Sequence, residues 1–238
     1  MERKSQKFRR LGVLGGMGVE ATIELLKRVH AATDAQDDQD HVPLFVDMNP
    51  QVPSRIRHLI EKNGDDPGPV IAEMAIRLEK AGAAALAMPC NTAHHYADWV
   101  ESAVKIPLLN MPLLTCCRLA TSLSPGSRVG ILASPATNQT GLFDAFLKDV
   151  GLIAMYPEDE APVLSSIRRI KKTGPAEEDL ALLDQESERL TDRGASGIII
   201  GCTEFSLLSS RISATAPVVD ALDVLVEEIV AYSGAKQR

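Results

Sequence analysis

Two stretches decide the fold: RLEKAGAAALAMPCNT at 77–92 and RLTDRGASGIIIGCTE at 189–204. Laid together without a gap, they share Arg77/Arg189, Leu78/Leu190, Gly82/Gly194, Ala83/Ala195 and Cys90/Cys202, an offset of 202 − 90 = 112. Each runs from a polar, helix-like segment through a glycine into a short run of small or apolar residues. Each run stops at a cysteine, and residues suited to open a helix follow. Neighbouring segments pair in the same order. IPLLN at 106–110 matches APVVD at 216–220, and LGVLGG at 11–16 resembles VGILAS at 129–134. Three matched units in one order point to a duplicated half-chain.

Outward from these stretches, short apolar runs at 11–14, 43–48, 83–88, 107–109, 128–132, 196–200 and 217–219 alternate with helically spaced segments. That is the pattern of βα units and a mostly parallel sheet. One helix is well marked: Pro69 suits a first turn, Ile71, Met74, Ala75 and Leu78 follow at helical spacing, and Gly82 ends it. The expected fold is α/β. It has two similar lobes, each a mostly parallel sheet flanked by helices, related by a pseudo-twofold with a cleft between them. The repeat offset assigns residues 1–111 plus 220–238 to the first lobe and 112–219 to the second.

Length and composition agree. A chain of 238 residues suffices for two separate cores. An apolar fraction of 45% beside 24% charged residues is that of an ordinary globular protein. The net charge of −7 argues against a nucleic-acid partner, which needs a basic stripe, and requires local cations wherever an anion binds. The start MERKSQKFRRLGVLGGMG has the basic-then-apolar order of a signal peptide. Its apolar part is short, carries glycines and runs into Glu20, so it reads as a basic tail entering a first strand. No run approaches the ~18 apolar residues of a membrane span. The expectation is a cytoplasmic protein with no membrane or nucleic-acid partner and with reduced cysteines.

In a parallel α/β sheet, ligands bind beyond the carboxyl ends of the strands. Both repeat cysteines fall there, followed by Asn91-Thr92 and Thr203-Glu204, residues suited to an N-cap or first turn. Backbone N–H groups and the helix dipole at such a position favour thiolate over thiol and also attract a carboxylate. Two lobes facing one another would set one thiol on each side of a bound molecule. Inverting a stereocentre needs that arrangement: a base on one face of a carbon and an acid on the other, with roles that exchange with substrate hand. A lone cysteine is ordinarily a small buried hydrophobe. Cys116 and Cys117, in PLLTCCRLA, read that way, on a packed helix face. A Cys90–Cys202 disulfide is disfavoured in a reducing compartment. Zinc is not expected either: there is no CxxC, and the adjacent His94 and His95 cannot both face one metal from a helix.

LGVLGGMGVEAT, NPQVPSR, MPCNTAH and GCTEFSLL together resemble the cofactor-independent aspartate/glutamate racemase family, its aspartate branch in particular, over residues 10–230. The resemblance implies Cys90 and Cys202 as the two acid/base residues. It also implies that Asn91, Thr92, Ala93, Thr203 and Glu204 surround the α-carboxylate end of the substrate, and that Arg55 holds a substrate carboxylate. Lys172, in IKKTG, would serve the acidic side chain, with Lys171 adjacent and the register open by one. Met17 and Gln51 would line the pocket. The family implies racemisation of aspartate, with glutamate-type or broader specificity on the same two-thiol plan. It implies a small amino-acid partner, a homodimer, and neither pyridoxal phosphate nor metal. Val19 and Ser54 depart from the family's proline and aspartate, and SPATNQTG at 134–141 follows its threonine loop only loosely, through Thr137.

Two readings from other classes compete. Gly16-x-Gly18-x-x-Ala21 also fits a dinucleotide fingerprint, which would make a nicotinamide-dependent oxidoreductase. That fingerprint wants an acidic residue about 20 positions on, and Asp47 lies 47 − 18 = 29 beyond Gly18. A non-catalytic amino-acid-binding protein would keep the cleft but has no need of a thiol on each side.

Overall fold

Gly82 and Gly194, paired by the repeat, both turn the chain from a helix into a strand, and both do so at φ +96°. A Cβ at Gly82 would meet nothing and one at Gly194 only Arg128 Nη1 at 3.9 Å, so it is the left-handed backbone and not crowding that asks for glycine. The computed structural model describes residues 7–238; the first six residues of the basic tail lie outside them.

In chain order the first half contains β1 (Leu11–Gly15), α1 (Val19–Ala32), β2 (Leu44–Met48), α2 (Arg55–Leu59), α3 (Gly68–Lys80), β3 (Ala85–Ala87), α4 (Ala97–Ala103) and β4 (Leu108–Leu109). A connecting helix, α5 (Met111–Ala120), leads to β5 (Arg128–Ala133), α6 (Pro135–Gln139), α7 (Leu142–Asp149) and β6 (Ile153–Met155). The chain ends with α8 (Ala161–Thr173), α9 (Glu177–Asp192), β7 (Ala195–Gly201), α10 (Thr203–Ser206), β8 (Val218–Asp220) and α11 (Ala221–Ser233). The strands form two four-stranded sheets, ordered β2-β1-β3-β4 and β6-β5-β7-β8, and neighbours in both are parallel. The same permutation occurs twice, as a duplicated chain requires. Every expected strand is present. β6 is the addition: it is a three-residue edge strand whose Ile153 is half exposed, too short and too lightly buried to stand out as an apolar run.

Each sheet is covered on both faces, which is why the central strands read as continuous apolar runs. On the first sheet, Leu25 and Val29 of α1 join Leu222, Leu225, Val226 and Ile229 of α11 over Leu11 and Val13. On its other face Ile71, Met74 and Leu78 of α3 pack on Leu14 and Leu86. On the second sheet, Ile167 and Ile170 of α8 and Leu183 and Leu190 of α9 cover Ile198 and Ile200. Cys116 and Leu119 of α5, with Phe143 and Leu147 of α7, cover Val129, Ile131 and Ile199. The lobes therefore exchange helices: α5 leaves the first sheet to cover the second, and α11 leaves the second to cover the first. Of the two adjacent cysteines in α5, Cys116 is buried in this packing and Cys117 is exposed. The packed-face reading holds for the first and is corrected for the second, which a helical step of about 100° turns to solvent. Among the described residues no helix is long and apolar enough to cross a membrane.

Candidate active site

Six segments converge on one cleft, three from each half of the fold: five follow the carboxyl ends of strands and one is a face of α8. From the first sheet come Met17 after β1, Ser54, Arg55 and Ile56 after β2, and Cys90, Asn91 and Thr92 after β3. From the second come Ser134 after β5, Ile167 and Lys171 of the helix after β6, Gly201 at the end of β7, and Cys202, Thr203 and Glu204 after it. The cavity measures about 100 Å³ and opens to solvent, a space on the scale of a small amino acid. Cys90 is 8% exposed and Cys202 is 7% exposed, each at the cleft edge of its own lobe's core.

The two thiols stand in unequal surroundings. Cys202 donates to Glu204 Oε2 at 2.9 Å, and Lys171 Nζ lies 3.0 Å from Glu204 Oε1. Glu204 is nearly buried, which alone would raise its pKa, yet the Lys171 ammonium and the Cys202 hydrogen bond outweigh burial and hold it below the usual carboxylate range. Burial pushes the Cys202 thiol well above its ordinary value, and the Glu204 charge pushes the same way. Burial opposes the charge on Lys171, but Glu204 more than compensates, and its pKa rises. Cys202 is therefore a thiol at neutral pH, hydrogen-bonded to a carboxylate that an ammonium keeps charged. At the position of Glu204 in the repeat, Cys90 has Thr92.

Arg55 is fixed before any ligand arrives. Its Nη1 donates to Pro53 O at 3.0 Å and to Val52 O at 3.4 Å, and its Nη2 donates to Met17 O at 3.0 Å. Its Nε is buried without a partner. Asn91 is only 2% exposed, and both polar atoms of its side chain lack partners. Such orphaned groups cost about 1–3 kcal/mol each unless a ligand satisfies them. Asn91 makes no capping bond, and the helical turns after both cysteines are short, five residues in one case and four in the other. The dipole argument for thiolate is thus weaker than the sequence suggests; at Cys202 burial, with Glu204 beside it, favours the thiol.

Of the residues anticipated from sequence, Met17, Arg55, Cys90, Asn91, Thr92, Cys202, Thr203 and Glu204 line the cavity. Three do not. Lys172 is exposed and the lining residue is Lys171, a correction of one position. Ile167 and Lys171 are four apart on α8 and share a face; Lys172 is turned a further 100° or so. Gln51 lies exposed beside the loop, its backbone N–H donating to Asn49 Oδ1. Ala93 is fully buried in the first lobe's core. Ser134 was missed, although the repeat pairs it with Gly16 at the cleft end of β1; Thr137 instead bonds back to Ser134 O within its own turn.

The glycine turn has its own explanation. Gly16 sits at φ +88°, where a Cβ would come within 2.4 Å of the Asn49 backbone. Asp47, the acid the dinucleotide reading needs, is engaged by Arg77 at 2.7 Å.

Comparison with known proteins identifies the family. Residues 14–229 match the Asp/Glu/hydantoin racemase family model. The broad-specificity amino-acid racemase RacX of Bacillus subtilis is 25% identical over 229 residues, covering 92% of this chain and 96% of that protein. An aspartate racemase structure from Picrophilus torridus superposes with a TM-score of 0.85 at 26% identity, covering 97% of this chain and 96% of that one. The glutamate racemase of Francisella tularensis, at 17% identity and a TM-score of 0.62, covers 94% of this chain and 80% of its own, and shares the fold. The chain belongs to the Asp/Glu/hydantoin racemase family and is an isomerase.

Proposed function

We propose that the protein interconverts the L and D forms of an acidic amino acid, aspartate foremost, by proton transfer at Cα between Cys90 and Cys202. One observation carries the reading: two cysteines from equivalent positions of the repeat, far apart in sequence, line a single cavity of amino-acid size. One thiolate removes the Cα proton, and the thiol on the other wall delivers a proton to the opposite face. Asn91 and the unpartnered Nε of Arg55 supply donors to the substrate's carboxylates. Enclosure from water strengthens those bonds as negative charge spreads onto the α-carboxylate in the transition state.

Charge supports an acidic substrate. Arg55, Lys171 and Glu204 sum to one positive charge at the cleft, and an aspartate zwitterion carries one net negative charge. The likeness to RacX favours a second reading, broad specificity on the same chemistry. Incubation with each L- and D-amino acid in deuterated water, followed by optical rotation and by Cα deuteration, tests both. Aspartate racemising well ahead of neutral amino acids is the expected result, and no exchange with any amino acid overturns the proposal. A homodimer belongs to the same proposal and is read by sedimentation.

Cys90→Ala and Cys202→Ala are each expected to abolish racemisation. Each should still wash out the Cα proton of one enantiomer, the opposite one in each variant, through the thiol that remains. The equilibrium constant of a racemase is one, so kcat/KM must fall equally in both directions; only washout reveals which thiol serves which hand. Racemisation by both variants at the wild-type rate would remove the thiols from the chemistry.

A further inference from the structure

Glu204 touches two partners that compete for it. Its Oε2 accepts from the Cys202 thiol, and its Oε1 is held by Lys171, a cation that also lines the substrate cavity. While the lysine stays, the carboxylate is too weak a base to take the thiol's proton. On the proposed racemase reading, an acidic substrate brings a second carboxylate into a cavity where Lys171 and Arg55 are the cations. We propose that the substrate's side-chain carboxylate draws Lys171 off Glu204, and that the released Glu204 then deprotonates Cys202. The acidic side chain would thereby switch on one of the two bases as well as being bound.

The protons balance. The Cys202 S–H bond breaks and an O–H bond forms on Glu204. The Cys202 thiolate takes the Cα proton, and the Cys90 thiol gives its proton to the opposite face. On product release Lys171 returns to Glu204, which loses its proton to solvent, and the Cys90 thiolate regains one from solvent. Lys171 lies against Glu204 itself, so its departure raises the basicity of the carboxylate more than that of the thiol beyond it. The repeat gives Cys90 no equivalent: Thr92 stands where Glu204 stands. The switch therefore belongs to Cys202 alone.

Cα washout in deuterated water in the Cys90→Ala background isolates Cys202 as the base. Adding Glu204→Gln should slow that washout about 100-fold, the usual scale for a lost general base. In the same background aspartate should exchange faster than alanine at saturation. Lys171→Met should then speed alanine exchange at saturation about tenfold, the effect of one pKa unit, while aspartate keeps its rate at saturation and loses affinity, so that the two rates converge. Lys171→Gln, which keeps a donor on a shorter stem, serves if the Met variant does not fold. Alanine exchange unchanged by loss of the lysine, with only the KM for aspartate raised, would make Lys171 a binding cation only and overturn the switch, as would unchanged washout in Glu204→Gln. Wild-type protein is measured first: if it exchanges no amino acid, the racemase reading itself fails; if it racemises while the lysine variants leave alanine exchange unchanged, only the switch fails.

Discussion

Gly18 and Gly16 are neighbours in one turn, yet they answer to different constraints. Gly18 has φ −103°, a conformation open to any residue, and a Cβ on it would stand 3.3 Å from Glu204 Oε1. Gly18→Ala should therefore fold normally but press on the carboxylate that Lys171 and Cys202 share. Racemisation should fall with little change in Tm. Gly16→Ala meets backbone on a left-handed φ, and should lower stability by more than about 1 kcal/mol, read as a drop in Tm. Equal melting temperatures for the two variants would contradict this division. Both glycines are visible in the sequence, but their reasons are not. One answers to the Asn49 backbone, and the other to a side chain 204 − 18 = 186 positions away. Lys171 is a different case. Its spacing from Ile167 was there to be read, since Val163, Ile167 and Ile170 mark the buried face of α8. Lys171→Met should raise KM for aspartate strongly, whereas Lys172→Met should leave it near wild type. The same KM for both variants would return the register to doubt.

Each thiol-bearing loop is anchored to the start of the next crossing helix by the residue four positions after the cysteine. In the first lobe His94 Nε2 accepts from Met111 N at 3.2 Å, and its Nδ1 donates to Cys90 O at 2.9 Å. In the second, Ser206 Oγ donates to Asp220 Oδ1 at 2.6 Å, and the same oxygen accepts from Leu222 N at 3.0 Å. The repeat exposed the strands and cysteines of these units because small and apolar residues recur there. It hid the anchors because His and Ser make the same link with different chemistry. His94 also carries a pH signature. Burial pushes its pKa down to about 4 from 6.5, so the ring is neutral in the native state. Above the unfolded value both states are neutral and the shift has no effect. As pH falls through 6.5 the unfolded chain takes up a proton that the native ring refuses, and by pH 4 about 3 kcal/mol of stability is lost through this group. His94→Gln removes that loss. Its denaturant midpoint should lie below wild type near neutrality, and the gap should narrow on acidification. A gap independent of pH would show that His94 is not buried neutral.

Over the whole molecule, the exchanged helices make the two lobes depend on each other. Leu222, Leu225, Val226, Ile229 and Val230 of α11 belong to the first lobe's core although the helix follows a strand of the second sheet. Truncating even one buried Leu or Ile to Ala costs about 2–5 kcal/mol, against a total of about 5–15 kcal/mol for a folded domain. A chain ending at residue 220 should therefore not fold, and its first lobe should not survive as a fragment. The intact chain should unfold in one step. Trp99, the single tryptophan, lies on α4 of the first lobe with its ring against Gly68, so its fluorescence reports on that half. Amide exchange in β5 and β7, where Val129 to Leu132 and Ile198 to Ile200 are buried, reports on the other. With α5 and α11 crossing between the cores, the fluorescence transition and the loss of β5–β7 protection should share one denaturant midpoint. Protection of β5 and β7 persisting after the Trp99 transition is complete would mean that the lobes fold independently. The cleft would then be held by two separately stable bodies, and not by a single cooperative one.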